Sequence, residues 1–143
     1  MADIQHFLDI KAPAEKVYKA ITEQKGISSW WVSDIVAKPE IGSIIEFNVG
    51  KDYHTQLKVT NLVENKLVSW ECIVGDKEWV GTKMQFELSE NNKGGTNLTF
   101  THTGWAAQSF LFGLCSFHWA GYMKSLRDYC ETGKGIPDSS GRF

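Results

Sequence analysis

The four histidines are the side chains whose ordinary pKa lies nearest neutrality, and they raise the first chemical question. In "TNLTFTHTGW", strand-like alternation puts His102 on the same side as Leu98 and Phe100. A histidine there could serve as a general base or as a hydrogen-bonded structural group at a sheet end. The structural role is the reading taken. His118 falls in an apolar helical run and could face His102 across an interior. Two histidines without a third ligand make a poor metal site, so no metal is expected. His54 belongs to a polar strand face, and His6 is ambiguous. Glu46, Glu64, Glu71, Glu78 and Glu87 fall on wet faces or in turns, with no pair placed for acid–base work. There is no Gly-x-Ser-x-Gly elbow, no Gly-x-Gly-x-x-Gly and no P-loop. Cys72 points inward from a strand, where a thiol is usually inert. No catalytic residue and no cofactor are expected.

What the chain has in excess is aromatic surface: six Trp, eight Phe and four Tyr, or 13% of its residues. The stretch "ISSWWVSD" sets Trp30 beside Trp31, and neighbouring side chains point in different directions. Trp30 is expected to anchor a short helix to the core, and Trp31 to hang over the mouth of a hollow. Trp30, Trp31, Phe47, Tyr53, Leu57, Trp70 and Met84 are candidate ligand-binding residues. Phe86, His102, Phe112, Trp119, Tyr122 and Met123 complete that set. The same side chains could instead simply fill a core at native density. Buried Tyr and Trp also bring polar groups that need partners.

Composition bounds the alternatives. At 143 residues and 42% hydrophobic, the chain is the size of one domain that needs no metal or disulfide to fold. Residues 1–132 read as a single domain and 133–143, Gly/Ser/Pro-bearing and polar, as a flexible tail. A net charge of −2 offers no basic stripe for a phosphate backbone, which argues against nucleic acid. Three cysteines without metal-type spacing suit a reduced, cytoplasmic protein. The N-terminus lacks a signal-peptide pattern, and no apolar run is long enough to span a membrane.

The elements that must position these residues follow from periodicity. "IQHFLDI" alternates as a strand. "KAPAEKVYKAITE" reads as a short helix with Pro13 at its start, and "QKGISSWW" as a second one broken from it near Gly26. Five further strands follow: "GSIIEFNVG", "DYHTQLKVTNLVE", "LVSWECIV", "WVGTKMQFELSE" and "TNLTFTHTGW". Their turns are short, so the sheet is an antiparallel meander with one apolar and one wet face. In this reading Val74 shares the apolar face with Trp70 and Cys72, and Val80 shares it with Met84 and Phe86. From about Ala106 to Glu131 the apolar spacing becomes helical, and Gly133 would stop that helix. Its first half is apolar nearly all round. The architecture is α+β: a curved antiparallel sheet of six or so strands around one long C-terminal helix, with two short helices after strand 1.

That order, with these residues, resembles the helix-grip superfamily (START-like, Bet v-like or SRPBCC). Within it, the chain is similar to the activator of heat-shock-protein-90 ATPase homologues, C-terminal domain type. "IKAPAEKVYKAIT", "ISSWW", "GGTNLTFTHTGW" and "HWAGYMKSLRDYCETGKG" carry the resemblance across nearly the whole chain. It implies, first, non-catalytic binding of a small apolar or amphipathic molecule between sheet and helix. An alternative is a module that binds a chaperone or other protein partner. A third reading is a cyclase- or aromatase-type enzyme using His102 with Tyr53 or Tyr122. The first expects a cavity, the second a packed interior with an exposed apolar patch, the third a titratable partner for His102.

Overall fold

The computed structural model describes residues 2–49 and 53–138. The chain runs β1 (Ala2–Ile10), α1 (Ala14–Ala20), α2 (Gln24–Trp30), β2 (Ile35–Val36), β3 (Ile44–Val49), β4 (Tyr53–Val63), β5 (Leu67–Val74), β6 (Lys83–Glu90), β7 (Thr96–Trp105) and α3 (Phe110–Thr132). The strands form one seven-stranded sheet in the order β1-β7-β6-β5-β4-β3-β2, antiparallel at each step. This is the α+β helix-grip arrangement, with α3 against the apolar face of a curved sheet. The strand the periodicity missed is β2, whose two residues are too few to alternate.

Alternation decides what the sheet buries. Along β7, Leu98, Phe100, His102 and Trp105 face inward, while the intervening threonines are half-buried on the other side. Two expectations on the inward face fail. Val74 is exposed, because register shifts after Gln56↔Val74 to Leu57↔Cys72 and the bulge turns the strand end outward. Val80 is exposed as well, since the turn runs on. Trp79 and Val80 both donate their N–H to the Asp76 carbonyl, Gly81 has φ 88°, and β6 starts only at Lys83.

The helices enter and stop on identifiable residues. Pro13, extended at φ −67°, precedes α1, and Val17 buries its inner face. Gly26 lets α2 lie on the end of α1, for a Cβ there would meet the Ala20 Cα at 2.6 Å. Ser109 caps α3 by accepting from the Phe112 N–H and donates its own hydroxyl to Glu78. Gly133, at φ 84°, ends the helix in the left-handed conformation expected of it. Cys115, Trp119, Met123, Leu126 and Cys130, spaced three or four apart, form the stripe of α3 that faces the core.

Candidate functional site

The tryptophan pair sits at the end of α2, and the two rings leave the chain on different errands. Trp30 is fully buried and donates its indole N–H to the Ala20 carbonyl at 2.7 Å. That carbonyl belongs to the last turn of α1, which has no helical donor for it, so the ring ties the two short helices together. Trp31 departs from expectation: it is 1% exposed and hangs over no mouth. It lies in the middle of the space between sheet and helix, stacked on Trp70 of β5 at 5.5 Å with 10° between planes. Phe47, Trp119 and Tyr122 surround it at 4.6, 5.3 and 6.2 Å between ring centres. Trp70, Phe86, Phe100 and Trp119 continue the cluster at 4.9, 5.0 and 4.3 Å. Rings at these separations are in contact with one another.

The other candidates fall around this cluster. Leu57 and Met84 are fully buried in it, Met123 nearly so, and Phe112 packs edge-on against Trp105 at 5.4 Å. The Tyr53 backbone opens β4, and its side chain lies outside the described residues. Phe100 is a central ring that the candidate set omitted, although its alternation with His102 marks it as inward.

His102 is fully buried, and a chain of hydrogen bonds fixes its state. The indole N–H of Trp119 donates to Nδ1 at 3.1 Å, so Nδ1 is an acceptor. Nε2 must then carry the proton and donate to Thr82 Oγ1 at 2.7 Å, which in turn donates to the Trp79 carbonyl. Burial pushes the imidazole down to about 3, and it is neutral across the physiological range. Neither side-chain partner is titratable. The one basic lone pair of the neutral ring, on Nδ1, is already taken by the Trp119 N–H and is not open to a substrate proton. Thr82 carries no periodic signal, and the sequence offers no means of pairing it with His102.

His118 is not beside His102; its ring neighbours are Phe117 and Tyr122, and burial lowers its pKa. His6 donates to the Ser116 carbonyl of α3 at 3.1 Å, while exposed His54 pairs with Asn48 and Glu46. Burial raises the Cys72, Cys115 and Cys130 thiols to about 11, 11 and 12. All three cysteines are free. Among the described residues, no group of three or more His, Cys, Asp or Glu is placed to hold a metal ion, and no helix is long and apolar enough to cross a membrane.

Beyond α3 the chain turns back on the aromatic cluster. Gly135 fits where a Cβ would meet the Ser29 carbonyl oxygen at 2.5 Å. Ile136 donates its N–H to Ser125 Oγ at 2.7 Å, and Asp138 donates its N–H to the Trp31 carbonyl at 2.8 Å. The Asp138 carboxylate is buried and accepts from the Tyr122 hydroxyl at 3.1 Å. This strap ties the end of the chain to the Trp31 backbone and to the Tyr122 hydroxyl.

Part of the apolar surface the interior does not use lies on the outer side of α3. Phe110 is 87% exposed, Phe117 73% and Leu114 38%. The sequence signal for it was the helix half that is apolar nearly all round.

Comparison with known proteins bears on the same residues. Residues 11–131 match the family described as Activator of Hsp90 ATPase homolog 1-like protein. No curated protein matches the chain. Among solved structures, the Aha1 dimer from Colwellia psychrerythraea is 36% identical, with a TM-score of 0.85 over 94% of this chain and 100% of that one. Protein MLL2253 from Mesorhizobium loti is 20% identical, with a TM-score of 0.78 over 89% and 95% of the two chains. Protein BH1534 from Bacillus halodurans is 22% identical, with a TM-score of 0.74 over 92% and 98%. The last two carry the fold alone.

Proposed function

From the premise that the chain belongs to the Activator of Hsp90 ATPase homolog 1-like family, we propose that it is a non-catalytic protein-interaction domain. Its partner would be a chaperone ATPase of the kind the family is named for. One contrast carries this reading. The rings that could have lined a ligand hollow are packed around Trp31, whereas Val36 and Ile41, beside β3, and Phe110 and Phe117, on α3, present apolar surface to solvent. A packed interior with exposed apolar surface in more than one place suits a domain that works from its surface. The neutral, fully partnered His102 supports a role without chemistry. Three free buried thiols suit a reducing, cytoplasmic setting. The Colwellia relative is a dimer, and we extend that state to this chain.

The test is the ATPase rate of the host's 90-kDa chaperone with increasing amounts of the domain, alongside native mass spectrometry of the domain from its own host. The expected result is a changed ATPase rate and a domain that carries no small molecule. An unchanged rate together with a stoichiometric apolar compound in the native spectrum would overturn the reading. It would return the candidate residues around Trp31 to ligand binding.

A further inference from the structure

We infer that the exposed face of the N-terminal half of α3 seats a second copy of the chain, the two helices packing antiparallel about a two-fold axis near Phe117. This rests on the dimeric reading above and adds the face that would carry it.

From Phe110 through Met123 the helix has no Asp, Glu, Lys or Arg. One side of that stretch is committed to the core through Cys115, Trp119 and Met123. The opposite side carries Phe110, Leu114 and Phe117, whose three- and four-residue spacing puts them on one stripe. Gly113 and Ala120 are exposed between and beside them, and a Cβ at Gly113 would meet nothing within 4 Å. Large and small side chains therefore alternate along the face. A copy rotated by half a turn presents its own Phe117 to the hollows beside this one.

The chemistry of the face selects a second copy over a charged partner. A two-fold contact sets the same face of each copy against itself, which a face bearing one sign of charge would oppose. This face has no charge to oppose it, and none to steer an acidic or basic partner onto it. With the axis at Phe117, Leu114 of one copy lies opposite Ala120 of the other. Phe110 lies opposite Lys124, the first charged residue after the stretch, where an ammonium over a ring is favourable. Phe117 of each copy lies at the axis and Phe110 toward the rim, and aromatic side chains are enriched at interfaces.

Sedimentation velocity on the full chain over a range of concentrations tests this with wild type, Phe117→Glu, Phe110→Glu and Phe7→Glu. Phe7 is 68% exposed on β1, and by alternation it projects to the opposite side of the strand from His6, whose ring meets α3 at Ser116. Expected are a wild-type dimer and a dimer dissociation constant raised at least about 30-fold by either α3 substitution. Phe7→Glu should leave it unchanged, and all four far-ultraviolet spectra should agree. A Leu114→Cys copy mixed with an Ala120→Cys copy should form disulfide-linked dimers on oxidation. A dimer insensitive to both α3 substitutions would overturn this face while leaving the dimeric reading intact. A wild-type monomer at every concentration would overturn both. A monomer whose chaperone stimulation is lost in Phe117→Glu would assign the face to the chaperone instead.

Discussion

The indole N–H of Trp119, on α3, donates to Nδ1 of His102, on β7, at 3.1 Å, and both side chains are buried. One bond thus joins the helix to the sheet and fixes the tautomer of the only histidine fully enclosed by the core. Protonating Nδ1 would set two donors against each other. Burial is the main cause of the imidazole's depression to about 3.

That depression sets a pH dependence of stability. The folded histidine binds its proton at about 3, whereas an unfolded one binds it near 6.5. Between those values the unfolded chain holds more protons, so stability is full above about 6.5 and is lost as pH falls toward about 3. The slope from this group approaches ~1.4 kcal/mol per pH unit. The lowered His118 contributes with the same sign. Urea unfolding at pH 7, 5.5 and 4 should show the loss. His102→Gln should flatten it, and an equally steep variant would contradict the assignment.

Two tryptophans equally buried at 1% exposure should respond differently to loss of the indole nitrogen. Trp119→Phe leaves His102 Nδ1 without its donor and should cost about 1–3 kcal/mol beyond lost packing. Trp105 Nε1 has no hydrogen-bond partner among the described residues. Trp105→Phe removes an unsatisfied donor along with the packing, so it should be the milder change. Chemical denaturation of the pair reads the difference directly, and equal losses would refute it.

Trp31→Ala should cost about 3–5 kcal/mol, the penalty of emptying a ring-sized site in a close-packed core. Trp31→Phe should recover more than half of it. A loss below about 1 kcal/mol for the alanine variant would mean that the ring is peripheral after all.

The strap beyond α3 should lift when Gly135 is replaced by Ala, because the new Cβ would collide with the Ser29 and Ser125 carbonyl oxygens. Tyr122→Phe removes the hydroxyl that donates to Asp138. Limited proteolysis should cut both variants faster than wild type between Gly133 and Asp138. Unchanged cleavage would mean that the contacts do not hold the segment.

The cysteines offer a check on the interior as a whole. With thiols raised to about 11 or 12, the thiolate at neutral pH falls at least about a hundredfold below that of a free cysteine. A disulfide exchange reagent should find three thiols only after denaturation. Rapid reaction of the native protein would show that the core opens.

The periodic elements are written in the sequence itself. Leu98, Phe100 and His102 declared their face by alternation, and Gly133 declared the end of α3. Val74 and Val80 misled because a bulge and a lengthened turn leave no mark on a period of two. The role of Trp31 was hidden for a different reason. Adjacent tryptophans reveal that one ring needs a second surface, but local order cannot show that this surface is Trp70 and Trp119. Thr82 and Asp138 act through partners 20 and 16 residues away, a distance at which composition and spacing carry no information.

The stack of Trp31 between Trp70 and Trp30 also gives the molecule an optical signature of its own. Indoles nearly parallel at 5.5 and 6.0 Å, 10° and 16° between planes, couple their electronic transitions. The circular dichroism of the aromatic bands then reports the end of α2 meeting β5, together with the indole contacts of Trp119 on α3, while the amide bands report the strands and helices separately. A single spectrum can follow the closing of the core and the forming of the backbone as two events.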